Sequence, residues 1–252
     1  MELTNTAAIV TGGASGLGAA TAVELASRGA TVFAFDLPAS IDAAPEVDGV
    51  SYLAADVTDE QQVRAAVTTA AGSGVPLRTV VNCAGIAPSA RILGRSGTHD
   101  LGLYSKVIQI NLIGSFTVLT LASEAIAQTE PLSDGQRGVI VNTASIAAFE
   151  GQVGQVAYSS SKGGVVGMTL PAARDLAQFG IRVNTVAPGI VDTPMLATIS
   201  DEYRAGLAAG VPFPQRLCSP AEYARLVSMI VEHDYLNGET IRMDGALRMA
   251  PR

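Results

Sequence analysis

Six short runs of apolar and β-branched residues recur along this chain, each followed by a longer stretch of helical character, and that alternation constrains the fold most. Ala7–Thr11, Thr31–Phe35, Val50–Ala54, Leu77–Val81, Gly138–Asn142 and Ile181–Val186 read as strands buried on both faces. Gly16–Arg28, Asp59–Ala71, Tyr104–Gln128, Ala157–Phe179 and Pro220–Glu232 read as helices, and Thr240–Met243 as a last strand. Asp59 and Ser219 are of the types that cap helix starts, and Gly29 and Gly180 of the type that ends them. Parallel neighbours need a long crossover, which the helices supply, so the order predicts an α/β protein with a parallel sheet covered on both faces. No linker, repeat or low-complexity segment breaks the pattern, so residues 1–252 are expected to form a single domain. Pro171 sits inside a helical stretch and is expected to kink it.

Composition removes several function classes. The chain is 48% hydrophobic and 15% charged, with 26 Gly, which excludes a disordered chain. A net charge of −7 with no basic tract argues against nucleic-acid and anionic-membrane partners. The uncharged stretches Ala7–Val23 and Val107–Ser123 are interrupted by Gly, Asn and Gln, so they read as core and not as membrane spans. Cys83 and Cys218 cannot staple a domain of this size, and each is expected as a small buried hydrophobe. The acidic start, Met1-Glu2-Leu3-Thr4, lacks the basic flank of a signal peptide, so a soluble cytoplasmic protein is expected. His99 and His233 lie among polar residues and are expected to be exposed, and no metal site is expected.

The chemistry-bearing residues fall at strand ends. Thr11-Gly12-Gly13-Ala14-Ser15-Gly16-Leu17-Gly18 joins the first strand to the first helix. Ligands of open parallel sheets bind at such ends, where glycines admit a pyrophosphate to the backbone and a helix N-terminus offers free N–H groups. Asp36 ends the second strand at the distance where an acid meets an adenine ribose; a carboxylate there favours NAD over NADP. Asp56-Val57 and Asn82-Cys83-Ala84-Gly85 close the third and fourth strands on the same rim, as cofactor-lining groups or as plain strand ends. Tyr158 and Lys162 stand at i and i+4 on one helix face, and Ser145 lies just past the fifth strand. A phenol titrates near 10 in water, so as a base it needs help, and a nearby ammonium lowers its pKa. Ser145 is placed to hydrogen-bond the reacting oxygen.

Together, TGxxxGxG at Thr11–Gly18, NxAG at Asn82–Gly85, Asn111, Ser145, YxxxK at Tyr158–Lys162 and Pro188-Gly189 resemble the short-chain dehydrogenase/reductase family over essentially the whole chain. The resemblance implies a seven-stranded, doubly wound Rossmann-type sheet, a nicotinamide cofactor, carbonyl–alcohol redox chemistry and a homotetramer. It implies Tyr158 as general acid/base, Ser145 as orienter of the substrate oxygen and Lys162 as the group that binds the nicotinamide ribose. Asn111 would support a water-mediated proton relay. Gly12, Ser15, Gly16, Leu17, Gly18, Asp36, Asp56, Val57, Cys83, Ala84, Gly85, Pro188, Gly189, Val191 and Thr193 would line the cofactor, with Thr193 at the carboxamide. Gln155 would join Ser145 and Tyr158 at the substrate, under a covering region around residues 192–216. The stretches Ala147–Gln152, Val211–Leu217, Pro220–Ala224, Leu236–Glu239 and Arg242–Ala246 resemble one branch of that family, the type II 3-hydroxyacyl-CoA dehydrogenases, although Val191 stands where the human-type member of that branch carries an aromatic near the cofactor. An acyl-CoA thioester is therefore the expected substrate, and Arg91 and Arg95 are candidates for its phosphates in an otherwise solvated loop. The alternatives are a hydroxysteroid or other alcohol dehydrogenase, a 3-oxoacyl-carrier-protein reductase on the same scaffold, and a non-catalytic NAD sensor. Asp36 speaks against the NADPH-dependent reductase, and the intact Tyr158–Lys162 pair against the sensor.

Overall fold

The computed structural model describes residues 1–95, 97–196 and 200–251. Seven strands form one parallel sheet in the order β3-β2-β1-β4-β7-β8-β9. These are β1 Ala7–Thr11, β2 Thr31–Asp36, β3 Val50–Ala54, β4 Leu77–Asn82, β7 Gly138–Thr143, β8 Ile181–Pro188 and β9 Thr240–Met243. A small antiparallel hairpin, β5 (Leu93–Gly94) with β6 (Gly97–Thr98), lies outside the sheet. The helices are α1 Gly16–Ser27, α2 Pro38–Ile41, α3 Glu60–Ala71, α4 Leu101–Ile108, α5 Ser115–Ala127, α6 Ala147–Glu150, α7 Val156–Leu176, α8 Asp201–Ala209 and α9 Pro220–Glu232.

The period-two pleat divides each central strand between two cores. Ile9, Phe33, Phe35, Val80, Ile140 and Val183 pack with α3 and α5 on one face, while Ala8, Val10, Val32, Val81, Val139 and Val141 pack with α9 and α1 on the other. Full burial holds for β1, β4, β7 and β8 but not for β3, where Ser51 and Ala54 are exposed. An edge strand has a neighbour on one side only, which explains the correction. The strand order runs 3-2-1 one way and 4-7-8-9 the other, so the reversal falls between β1 and β4. Their C-terminal ends carry the glycine turn and the Asn82–Gly85 segment.

The caps behave as expected. Asp59 accepts from the N–H groups of Gln61 (2.9 Å) and Gln62 (3.1 Å), and Glu222 closes a capping box by accepting from the Ser219 N–H at 2.9 Å. Gly29 and Gly180 end their helices at φ +88° and +70°. The expected helix Tyr104–Gln128 instead spans Leu101–Ala127 in three parts, because a π-helical turn, Gln109–Gly114, separates α4 from α5. This span is long and apolar enough to cross a membrane, but half of its most apolar window is buried within the protein, as a core helix would be. Pro171 does not break α7, which runs unbroken from Val156 to Leu176. Both cysteines are unbridged and half-buried, and His99 is half-buried against Tyr104 rather than exposed, whereas His233 is exposed.

Candidate active site

The turn after β1 is wound so tightly that side chains are excluded from most of it. A Cβ on Gly18 would lie 2.1 Å from the Gly12 carbonyl oxygen, and one on Gly12 would lie 2.9 Å from the Ala84 nitrogen. Those glycines therefore let the turn close on itself and on the Cys83–Ala84 segment. Gly16 is different: its φ is +54°, and a Cβ there would meet only ordinary contacts, 3.6 Å from Thr193. Thr193 thus faces the turn across the cleft. Ser15, exposed at the start of α1, makes no side-chain capping bond, so the helix start keeps N–H groups for a ligand. Leu17 is half-buried just inside it.

Thr11 ties the turn to its neighbour, because its hydroxyl oxygen accepts from the N–H groups of Cys83 and Ala84, each at 3.1 Å. Asp36, at the end of β2, accepts from the Ala14 N–H at 3.0 Å and the Leu37 N–H at 2.8 Å, which holds a carboxylate beside the turn. Asp56 accepts from the N–H and hydroxyl of Thr58 at 2.9 and 2.7 Å, and Val57 is buried under the π-helical turn, with its side chain where a Cβ on Gly114 would fall. Pro188 ends β8; Gly189 lies so near Asp244 that a Cβ would come within 2.9 Å of its Cα. Val191 is buried and bridges to Cys218. This cradle of glycine backbone, open helix start and flanking carboxylate fits a dinucleotide.

Asn111 is fully buried in the π-helical turn, and its side chain is spent within the protein. It accepts from the Ile86 N–H at 2.8 Å and donates to the Ile86 carbonyl at 2.9 Å and the Ser161 hydroxyl at 3.0 Å. It therefore locks the Gly85–Ile86 floor to α7, a local role that the relay expectation did not contain. Gly85 sits between Asn111 and Lys162, with a Cβ position 3.1 Å from the Asn111 amide oxygen and 3.6 Å from Nζ.

Ser145, Tyr158 and Lys162 meet at the end of β7. Ser145 is buried beside Tyr158, and its hydroxyl oxygen accepts from the Ala147 N–H at 3.1 Å. Lys162 donates to the carbonyl of Thr143 at 2.7 Å, and Nζ lies 5.8 Å from the Tyr158 ring centroid. Burial pushes the ammonium down to about 8. Burial also pushes the Tyr158 hydroxyl above its ordinary value, against the pull of the Ser145 hydrogen bond. The expected lowering of the phenol pKa by Lys162 is thus corrected: in the protein alone, desolvation wins and the ammonium is turned to Thr143. Gln155, beside the start of α7, accepts from the Gln152 N–H at 3.0 Å through its side-chain oxygen.

Thr143 was not singled out in the sequence, yet it organises this corner. Its carbonyl holds Lys162, and its hydroxyl lies 2.6 Å from that of Tyr223, which α9 buries completely. Thr11 and Ser161 were likewise missed as site residues. Thr11 carried a signal, since it opens the glycine motif; Thr143 carried none. Arg91 and Arg95 are exposed, and Arg91 borders a groove of 650 Å³ between the loop after β4 and residues 147–159. The covering region around residues 192–216 lies partly outside the described residues, at 197–199. Among the described residues no three His, Cys, Asp or Glu side chains gather as metal ligands do.

A family description of short chain dehydrogenases matches residues 6–204. The chain is 54% identical over 249 residues to 3-hydroxyacyl-CoA dehydrogenase type-2 of Bos taurus, covering 97% of this chain and 95% of that one. It is 52% identical over 252 residues to the Drosophila melanogaster protein of the same name, covering 98% and 99%. Among solved structures, 3-hydroxyacyl-CoA dehydrogenase type-2 from Mycobacterium avium superposes with a TM-score of 0.91 at 41% identity over 98% of each chain.

Proposed function

From the premise that this chain belongs to the short chain dehydrogenase family, and is an oxidoreductase, we propose that it interconverts a 3-hydroxyacyl-CoA and a 3-oxoacyl-CoA with NAD as its cofactor. The observation that carries the reading is the meeting of Ser145, Tyr158 and Lys162 beside a glycine cradle flanked by Asp36, in a chain so similar to enzymes of that name. The cofactor supplies the hydride acceptor or donor. Tyr158 takes the hydroxyl proton of the alcohol, or returns it to the ketone oxygen, and Ser145 orients that oxygen by hydrogen bonding. Lys162, held by Thr143, keeps a positive charge near the phenol and would hold the nicotinamide ribose. Gly12, Ser15, Gly16, Leu17 and Gly18 would hold the pyrophosphate, and Thr193 the carboxamide.

Asp36 supports NAD because a carboxylate beside the turn accepts from a ribose 2′-hydroxyl and repels a 2′-phosphate. Asp36→Ser should raise relative turnover with NADPH; a wild-type enzyme that already prefers NADPH would overturn this part. The substrate is tested by NADH oxidation with acetoacetyl-CoA against ketosteroids and small ketones. Preference for the thioester supports the proposal, and turnover confined to steroids or simple ketones replaces the substrate while leaving the redox class. A cytoplasmic homotetramer completes the proposal; subunit association, though not the compartment, is supported by apolar side chains left exposed on α5 and α7, such as Phe116 and Leu170.

A further inference from the structure

Residues 244–251, after β9, cross between two segments that flank the candidate catalytic residues. One is 146–153, which leaves Ser145 and leads toward Tyr158. Arg242 forks onto Glu150 there, with Nη1–Oε1 2.8 Å and Nη2–Oε2 3.1 Å, while its Nε donates to Asp244 at 2.7 Å. Arg248 reaches both carboxylates, 3.3 Å from Glu150 and 3.2 Å from Asp244. The Met249 N–H donates to Glu150 at 3.2 Å, and the Val153 N–H donates to the Pro251 carbonyl at 3.0 Å. The other segment begins at Val211. The Phe213 N–H donates to the Gly245 carbonyl at 3.2 Å, and a Cβ on Gly245 would lie 2.5 Å from the Val211 side chain. Leu247 joins Val211 and Ile146 in a small buried cluster.

A two-pronged Arg–carboxylate pair fixes geometry as well as energy, and this pair is only 23% exposed on each side. We propose that residues 244–251 are a strap clamping both substrate-side walls, with Glu150 and Arg242 as positioning residues that set affinity for the ketone or alcohol and leave that for the cofactor unchanged. The proposal deepens, and rests on, the reading of Ser145 and Tyr158 as catalytic and of the residues around 211–216 as substrate-covering. Glu150 sits five residues after Ser145 and acts through the path of 146–153, whereas the glycine turn lies against β1, β2 and β4, and Gly189, which Asp244 backs, is held by its own N–H to the Met243 carbonyl at 2.9 Å, a backbone bond that neither side chain makes.

The test uses the full chain carrying Glu150→Gln, Arg242→Met, or both, with steady-state kinetics on acetoacetyl-CoA and NADH and amide hydrogen exchange on each variant. The KM for acetoacetyl-CoA should rise about tenfold, as expected for one lost charged hydrogen-bonded pair, with kcat and the KM for NADH unchanged. The double variant should be no worse than the harsher single one, as for residues acting as a unit. Exchange at the Phe213 amide should quicken although that N–H bonds to the Gly245 carbonyl and to neither residue. Arg242→Lys, which keeps the charge but not the fork, should give an intermediate KM and guards against a variant that fails to fold. A wild-type ketone KM, a KM for NADH that rises in step, or unchanged exchange at Phe213 overturns the strap. A wild-type enzyme inactive on acetoacetyl-CoA overturns the substrate reading instead, and exchange at Phe213 then decides the strap alone.

Discussion

Tyr158 illustrates how far a single residue's chemistry depends on what surrounds it. Its hydroxyl is pushed up by burial, so the protein alone favours the phenol over the phenolate. Tyr158→Phe should lower kcat by about a thousandfold, the range of a lost general acid/base, while NADH binding followed by fluorescence stays near wild type. Retained turnover would remove Tyr158 from its role. Lys162 gives a pH test with a definite sign. Its ammonium is pushed down to about 8, so the charged form prevails below that pH and is lost above it. The kcat/KM for NADH, which reports groups of the free enzyme, should be flat on the acid side and fall as pH climbs past about 8. Constant kcat/KM up to pH 10 would contradict it. The identity of these side chains was readable in the sequence because lysine and tyrosine are scarce, two and six in the whole chain, and one of each stands at i and i+4, with Ser145 just past a strand end. The direction of the phenol shift was not, because desolvation depends on what packs above the ring.

At the scale of elements, the turn after β1 is the most demanding piece of backbone. Gly18→Ala places a methyl group 2.1 Å from the Gly12 oxygen, so the backbone must move. The variant should lose about 1–3 kcal/mol of stability, as for overpacking in a tight interior, and bind NADH at least about tenfold more weakly, read by thermal melting and fluorescence titration. The bounds of β1, β3, β9 and α9 match those read from the sequence, since each has strong patterning and clear punctuation at both ends. Shorter pieces escaped: α6 has four residues and each arm of the β5–β6 hairpin has two, too few to show a period. The π-helical turn escaped for another reason. Nothing in the pattern of Gln109–Gly114 marks an extra residue per turn, and the contacts that accompany it are tertiary, with Gly114 against Val57 and Asn111 drawn inward to Ile86 and Ser161. Pro171 lies inside α7, which continues past it to Leu176 while packed against β8 and α4.

For the molecule as a whole, the two cores, the switch point and the low charge account for a stable single sheet, but they leave apolar surface unexplained. Ile113 and Phe116, three residues apart and so on one face of the same helical span, are 42% and 54% exposed, and Leu170 on the neighbouring α7 is 45% exposed. Exposed apolar side chains of this size are costly in water, and burying one large aromatic between subunits is worth roughly 2–3 kcal/mol. The tetramer proposed above would cover them. Phe116→Glu sets a carboxylate where that burial would occur, and an unpaired buried charge costs more than the lost contact. Sedimentation at micromolar concentration should then show species smaller than four copies, with far-UV circular dichroism unchanged because Phe116 lies outside both cores. A variant that sediments like a wild-type tetramer would move the interface elsewhere on the surface. A wild-type chain that sediments as a single copy would leave these side chains to another partner and remove the tetramer from the proposal.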